Sequence, residues 1–224
     1  MTSSSDSFFT ENLRNAAFDG NLADVTLRCV VEAGKGRETD VPFSRILLAA
    51  QSPVFRNMLF GNMRESEPHS IVPCHFPPRV VRRGLEYMCT GKILVDRSNA
   101  VELYAFSNFY QIERLEKMCH EYIQSHMESE ATIFLGDAKR MRLEELESTC
   151  WNCLKATPSV ALTGTRVCEL SREDLRDLIA SDDLNIDEIE AYRSIVRWYK
   201  SRGQKDAVDL KSLMEVVRFP LIPP

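Results

Sequence analysis

The hydrophobic period of this chain changes once, from two residues to between three and four, and that change limits the folds open to it. Over residues 25–31, Val25, Leu27, Cys29 and Val31 alternate with other side chains, the pattern of a strand with one buried face. A loop carrying Gly34 and Gly36 leads to a second strand at about residues 39–43, so the two form a hairpin. Residues 70–73 and 93–95 predict two further short strands. Beyond about residue 100 the apolar positions recur at three and four, and no strand pattern interrupts them. The expectation is an α+β first half, a small sheet covered by helices, followed by an all-helical second half.

The helices have readable ends. Phe8, Phe9, Leu13, Ala16 and Ala17 give an N-terminal helix, stopping near Asp19-Gly20, an apolar side that needs a partner surface. Residues 44–50 are apolar after the first two and predict a helix buried at the centre of a domain. Ser52 can cap the next helix, with Pro53 at its first position, Val54, Phe55, Met58 and Leu59 on its face, and Gly61 as its stop. Residues 63–68 read as a loop. Pro77-Pro78 opens a helix through Val81, Leu85 and Met88 to Thr90-Gly91. Stripes at Val101, Tyr104 and Ala105, then at Leu115, Met118, Cys119, Tyr122 and Ile123, close a first domain, residues 1–126. Ser129 is placed to start the second, residues 127–224, with helices on Ala131, Phe134, Leu135 and Ala138 and on Leu143, Leu146, Cys150, Cys153 and Leu154. Further on, Ser171 caps a helix carrying Leu175, Leu178 and Ile179, with Asp174 where a capping box has Glu or Gln. Ile189, Tyr192, Ile195, Val196 and Tyr199 make the strongest helix of this half, before Leu210, Leu213, Met214 and Val217.

Little in the chain carries chemistry. A net charge of −5 gives no bulk attraction to phosphate backbones or anionic lipid, so neither nucleic acid nor membrane is the expected partner. No apolar run approaches the ~18 residues of a spanning helix, and residues 1–15 lack a signal-peptide core, which points to the cytosol or nucleus. Seven cysteines in irregular positions fit reduced core thiols. The one CxxC, Cys150-Trp151-Asn152-Cys153, lies mid-helix on a leucine-rich face and reads as packing. Cys74-His75 and Cys119-His120 do not converge in a ligand spacing, so no metal or cofactor is expected. Gly34-Lys35-Gly36 lacks phosphate-loop spacing and reads as a solvated hairpin tip, and Arg79, Arg82 and Arg83 read as a charged helix face. With no GxSxG, HExxH or other catalytic frame, the chain is expected to bind protein and not to be an enzyme.

Three motifs in order then carry a resemblance. Asp24-Val25-Thr26-Leu27, the run from Arg45 through Leu47-Leu48-Ala49-Ala50 to Ser52 and Phe55, and Cys89-Thr90-Gly91 resemble the BTB (POZ) signatures D-V-x-[LF], H-[KR]-x-[VL]-L-A-A-x-S-x-x-F and Y-T-G. Leu184-Asn185-Ile186-Asp187-Glu188, Trp198 and the stretch Val216 to Ile222 resemble the BACK domain, so the likeness spans about residues 20–222. Cys150-Trp151, Val167-Cys168-Glu169 and Asp183-Leu184-Asn185 lean toward the BTBD type over the kelch type. The resemblance implies a homodimer joined through the N-terminal helix, with Phe8, Phe9 and Leu13 at the joint. It also implies a non-enzymatic adaptor for the cullin-3 N-terminal domain. Met63-Arg64-Glu65 stands where the family places its hydrophobic-x-Glu contact, and Tyr110 matches a family tyrosine near the same surface, or is equally a core residue. A substrate protein of unknown identity is implied, presented by the helical half, by a bound partner or by residues beyond this sequence. The alternative is a dimerising scaffold or transcription-linked BTB protein that binds no cullin. Two positions depart from the signatures, Ser44 for histidine and Cys89 for tyrosine, which puts a polar contact near Asp24 in question.

Overall fold

The structure, a computed structural model, describes residues 4–30, 38–181, 184, 186–203 and 207–217. The expected hairpin tip at Gly34-Lys35-Gly36, Val31, Asp183, Asn185 and the stretch from Arg218 lie outside them. The chain divides into two compact units, Met1–Tyr122 and Ile123–Pro224.

The first unit opens with α1 (Ser4–Ala17), followed by β1 (Val25–Val30) and β2 (Glu38–Phe43). Then come α2 (Arg45–Gln51), α3 (Pro53–Phe60), a 3-10 turn (Arg64–Ser66) and β3 (Ser70–Cys74). It continues with α4 (Pro78–Thr90), α5 (Ala100–Phe109) and the start of α6 (Glu113–Met141). The sheet order is β2-β1-β3: β1 pairs antiparallel with β2, Leu27 opposite Val41, and parallel with β3, Leu27 opposite Val72. The alternation read from the sequence has its cause here, because Val25, Leu27 and Cys29 all face the core with Val41, Phe43, Val72 and Cys74. Leu48, Phe55, Leu59, Leu85, Phe106 and Leu115 cover that face.

Four local readings need correction. Residues 93–95 form no strand: Ile93 and Val95 pack on the core, Leu94 points out, and the Leu94 carbonyl accepts from Asn99 Nδ2 at 3.2 Å, with no ladder partner among the described residues. The segment has a strand's alternation without a neighbour to pair with. Second, α2 is not sunk in the core. Its Ile46 is 68% exposed, whereas its arginine, Arg45, is buried. Third, Ser129 caps nothing; α6 runs straight through it, with Ser129 Oγ donating to the His126 carbonyl at 3.1 Å. Residues 113–135 contain neither Gly nor Pro, so nothing breaks the helix there. It ends instead at Arg142, in the left-handed region at φ 57°, with Leu143 N–H donating to the Ala138 carbonyl at 2.9 Å. Fourth, Asp174 does not reach back to close a capping box; its carboxylate accepts from the Ser171 hydroxyl and from Lys139.

The second unit adds α7 (Glu144–Ala156), α8 (Pro158–Leu162), a 3-10 turn (Arg166–Glu169), α9 (Arg172–Ala180), α10 (Glu188–Ser201) and α11 (Ala207–Met214). Its core gathers Phe134, Leu135, Cys150, Leu154, Leu162, Val167, Leu175, Leu178, Ile195, Trp198 and Leu213. Trp198 Nε1 donates to the Leu170 carbonyl at 2.9 Å, giving the buried indole its polar partner. Ser171 caps α9 as read, accepting from Asp174 N–H at 3.0 Å.

Candidate functional site

The residue that shapes the loop after α3 is Arg45, which sequence reasoning passed over as part of a motif. Its backbone N–H donates to Asp24 Oδ1 at 2.7 Å, so Asp24 fixes the start of α2 where Ser44 makes no side-chain cap. Asp24 thus has a polar partner in the backbone of α2, although Ser44 stands where the signature has histidine. The guanidinium runs inward: Nη2 donates to the Leu59 carbonyl at the end of α3 and, at 2.6 Å, to the Ser66 carbonyl in the 3-10 turn. The Phe60 ring lies 4.9 Å from it. A cation at the C-terminal end of α3 also complements the helix dipole. The available signal was a charged side chain in an otherwise apolar helix.

Arg45 thus ties the turn to α3 from beneath. Around the turn, Ser66 Oγ donates to the Met63 carbonyl at 2.6 Å and Ser70 Oγ to the Glu65 carbonyl at 2.8 Å, while His69 at φ 60° brings the chain into β3. Met63 stands out at 53% exposure, Arg64 is exposed and Glu65 half-buried. Four hydrogen bonds to backbone carbonyls, counting both from Arg45, leave the side chains of the turn displayed on a fixed backbone.

Tyr110 is elsewhere. At 1% exposure it is a core residue, correcting its placement on a binding surface. Its ring stacks on Phe55 at 4.1 Å between centroids, its hydroxyl donates to Cys74 Sγ at 3.4 Å, and its carbonyl accepts from Ser52 Oγ. Ser52 also accepts from Phe55 N–H at 3.1 Å as the cap of α3. Tyr110 therefore seats the helix that leads to the Met63 turn, and an aromatic in a strongly apolar window gave no sequence sign of which role it plays. Phe8 and Phe9 on α1 are each 68% exposed and Leu13 is half-buried, so the N-terminal stripe is largely uncovered within one chain.

The other sequence candidates separate. Burial pushes Cys150 up to about 12 and Cys153 upward, so neither thiol is held as a thiolate. Cys74 and Cys119 lie on β3 and α6 inside the core, and among the described residues no group of three or more His, Cys, Asp or Glu comes together. Arg79 is more than a solvated charge: it holds the buried carboxylate of Glu102, with Nη2 to Oε1 at 2.6 Å. Arg82 and Arg83 are exposed. Among the described residues no helix is long and apolar enough to cross a membrane.

Residues 13–127 match the family model described as BTB/POZ domain, and residues 133–224 match BTB And C-terminal Kelch. The chain belongs to the BTB–BACK family. It is 26% identical over 218 residues to BTB/POZ domain-containing protein 9 of Drosophila melanogaster, covering 96% of this chain and 29% of that protein. It is 26% identical to human Kelch repeat and BTB domain-containing protein 8, covering 95% and 35% of the two chains. To Kelch-like protein 40 of Xenopus tropicalis it is 28% identical, covering 89% and 32%. This BTB–BACK chain spans about a third of the length of the curated relatives it matches. Among solved structures, the BTB domain of zebrafish PATZ1 matches 56% of this chain and 98% of its own at 25% identity, with a TM-score of 0.43. The family is one of protein-binding adaptors, and the three-stranded sheet with its helices, followed by a helical region, is its BTB and BACK architecture.

Proposed function

We propose that this chain is a homodimeric, non-enzymatic substrate adaptor for a cullin-3 ubiquitin ligase, with residues 1–126 as the BTB domain and residues 127–224 as the BACK domain. The observation that carries the reading is the pinned turn at Met63-Arg64-Glu65. Met63 is a flexible apolar knob that can enter a pocket on the cullin N-terminal domain, and Glu65 supplies a charge that can meet the end of a partner helix. Arg64 lies between them, and Tyr110 acts from below by seating α3 through Ser52. Phe8, Phe9 and Leu13 supply the surface for a second copy, since α1 exposes aromatic area that a twofold contact would cover. Catalysis belongs to the recruited ligase, and this chain contributes proximity in the cytosol or nucleus. A partner protein bound to the BACK half is the cargo.

Biolayer interferometry with immobilised cullin-3 N-terminal domain tests the reading. Wild type binds; Glu65→Lys reverses the contact charge and Met63→Ala removes the knob, and each weakens binding by about tenfold or more. Equal affinity of both variants and wild type overturns the assignment of the turn. A wild-type chain that dimerises and ignores the cullin returns the scaffold reading.

A further inference from the structure

The helix α10 has more apolar surface than its core needs. Its inward face is Ala191, Ser194, Ile195 and Trp198, which corrects the stripe read from the sequence: of Ile189, Tyr192, Ile195, Val196 and Tyr199 only Ile195 is buried. Tyr192 is 38% exposed and Val196 half-buried. They line a shallow groove of about 310 Å³, and the other described residues lining it are Arg193, Arg197 and Lys200. Among the described residues its lining is therefore an apolar strip beside a row of cations on one face of α10.

The rim is built, not merely solvated. Arg197 Nη1 donates to the Leu162 carbonyl at 2.8 Å, which fixes its guanidinium and leaves further donors on it. Arg193 pairs with Glu190 on the turn before it. Arg197 stands four positions after Arg193 and Lys200 three positions after Arg197, so the cations succeed one another at about 6 Å and about 4.5 Å along the axis. In an extended peptide, side chains on one side recur at about 6.7 Å, close to the first of these steps. Tyrosine and arginine are also among the side chains that interface centres favour.

We propose that this face of α10 is a docking groove for an acidic segment of a partner protein, with carboxylates at alternate positions meeting Arg193, Arg197 and Lys200 and an apolar residue between them lying on Tyr192 and Val196. A cationic rim selects acidic chains from a cell's proteins, and the apolar strip supplies what screened surface charge alone does not. The site does not depend on the Met63 turn or on cullin binding.

The test uses the full chain and a fluorescein-labelled peptide of about a dozen residues, Glu at alternate positions around a central Leu, followed by anisotropy. The same peptide with Gln for Glu is the control. The acidic peptide binds, its affinity falls with added salt, and the Gln peptide binds at least about tenfold more weakly. Arg193→Gln with Lys200→Glu weakens binding by about tenfold, and Tyr192→Ala by about fivefold, whereas Glu65→Lys leaves it unchanged. These positions are on the surface, and the thermal midpoint confirms that each variant is folded. Should the double variant prove unfolded, Lys200→Gln alone carries the charge test, with a smaller loss expected. Equal binding of the Glu and Gln peptides overturns the proposal. So does a charge variant that binds like wild type.

Discussion

Replacing Arg45 by Met keeps most of the side chain's volume and removes its charge and donors. In the native chain Nη2 serves two carbonyls, those of Leu59 and Ser66, and hydrogen bonds from a charged donor contribute about 1.5–3 kcal/mol each. Against this, the same side chain is buried, and its Nε has no partner, a burial that costs about 1–3 kcal/mol. The Leu59 carbonyl then loses its side-chain partner, while the Ser66 carbonyl can turn to water. The balance is a loss of about 2–3 kcal/mol, felt in the first unit. With a urea slope of about 1.5 kcal/mol per molar, the transition of that unit moves down by about 1.5–2 M. Urea titration followed by the near-ultraviolet signal reads this. Amide exchange reads the second consequence, faster exchange over residues 64–70 at urea concentrations where the core is intact. If Arg45→Met leaves the midpoint in place, or raises it, then the guanidinium is a neutral filler and the claim that it fixes the turn is wrong. Exchange confined to wild-type rates after a large midpoint shift would separate stability from loop control and also refute the claim.

Three other perturbations have definite signs. At Gly84, an added Cβ would lie 2.3 Å from Phe106 Cε1, inside a fully buried ring packed on Tyr110, so Gly84→Ala destabilises by about 1–2 kcal/mol despite its better helix propensity. Adding Phe106→Leu to it should recover part of that loss in a urea double-mutant cycle, and strict additivity would dismiss the clash. In the second unit, burial would lower Lys139, but its hydrogen bond and charge pairing with Asp174 outweigh that and raise it; the Lys139 ammonium also lies 5.3 Å from the Trp151 ring. Asp174→Ala removes this pair and the acceptor for Ser171, lowering stability by about 2 kcal/mol after allowing for the partly exposed lysine; a thermal midpoint within one degree of wild type would contradict it. Burial pushes both Cys119 and Cys150 up to about 12, above the ordinary thiol range. The folded chain keeps protons that the unfolded chain gives up, so this contribution is complete below about pH 8.5 and is lost as pH rises toward 12, at up to about 1.4 kcal/mol per unit for each thiol. Cys150→Ala should flatten the fall of stability between pH 9 and 11, and parallel curves would exclude the assignment.

What could be read from the chain followed from how local each cause is. The strand at Val25, Leu27 and Cys29, the Ser52 cap with Pro53 after it, and the Ser171 cap are set by neighbours a few residues away. The errors arose where a distant partner decides. Residues 93–95 carry a strand's alternation with no strand beside them among the described residues, and α6 runs on through Ser129 to end on a left-handed arginine. Asp174 is taken by a lysine from α6, and Arg45 is buried because two carbonyls far along the chain need a donor. At the site, position in a motif located Met63 and Glu65, but not whether Tyr110 was inside or outside, since core and interface use the same aromatic residue.

The adaptor account stands most directly on stoichiometry. Light scattering on a sizing column, for the full chain alone and mixed with cullin-3 N-terminal domain, measures it. The account predicts a dimer that becomes a complex of two chains with two cullin domains, and a Glu65→Lys dimer that does not shift. A monomer, or a wild-type dimer that elutes unchanged beside the cullin domain, would contradict it.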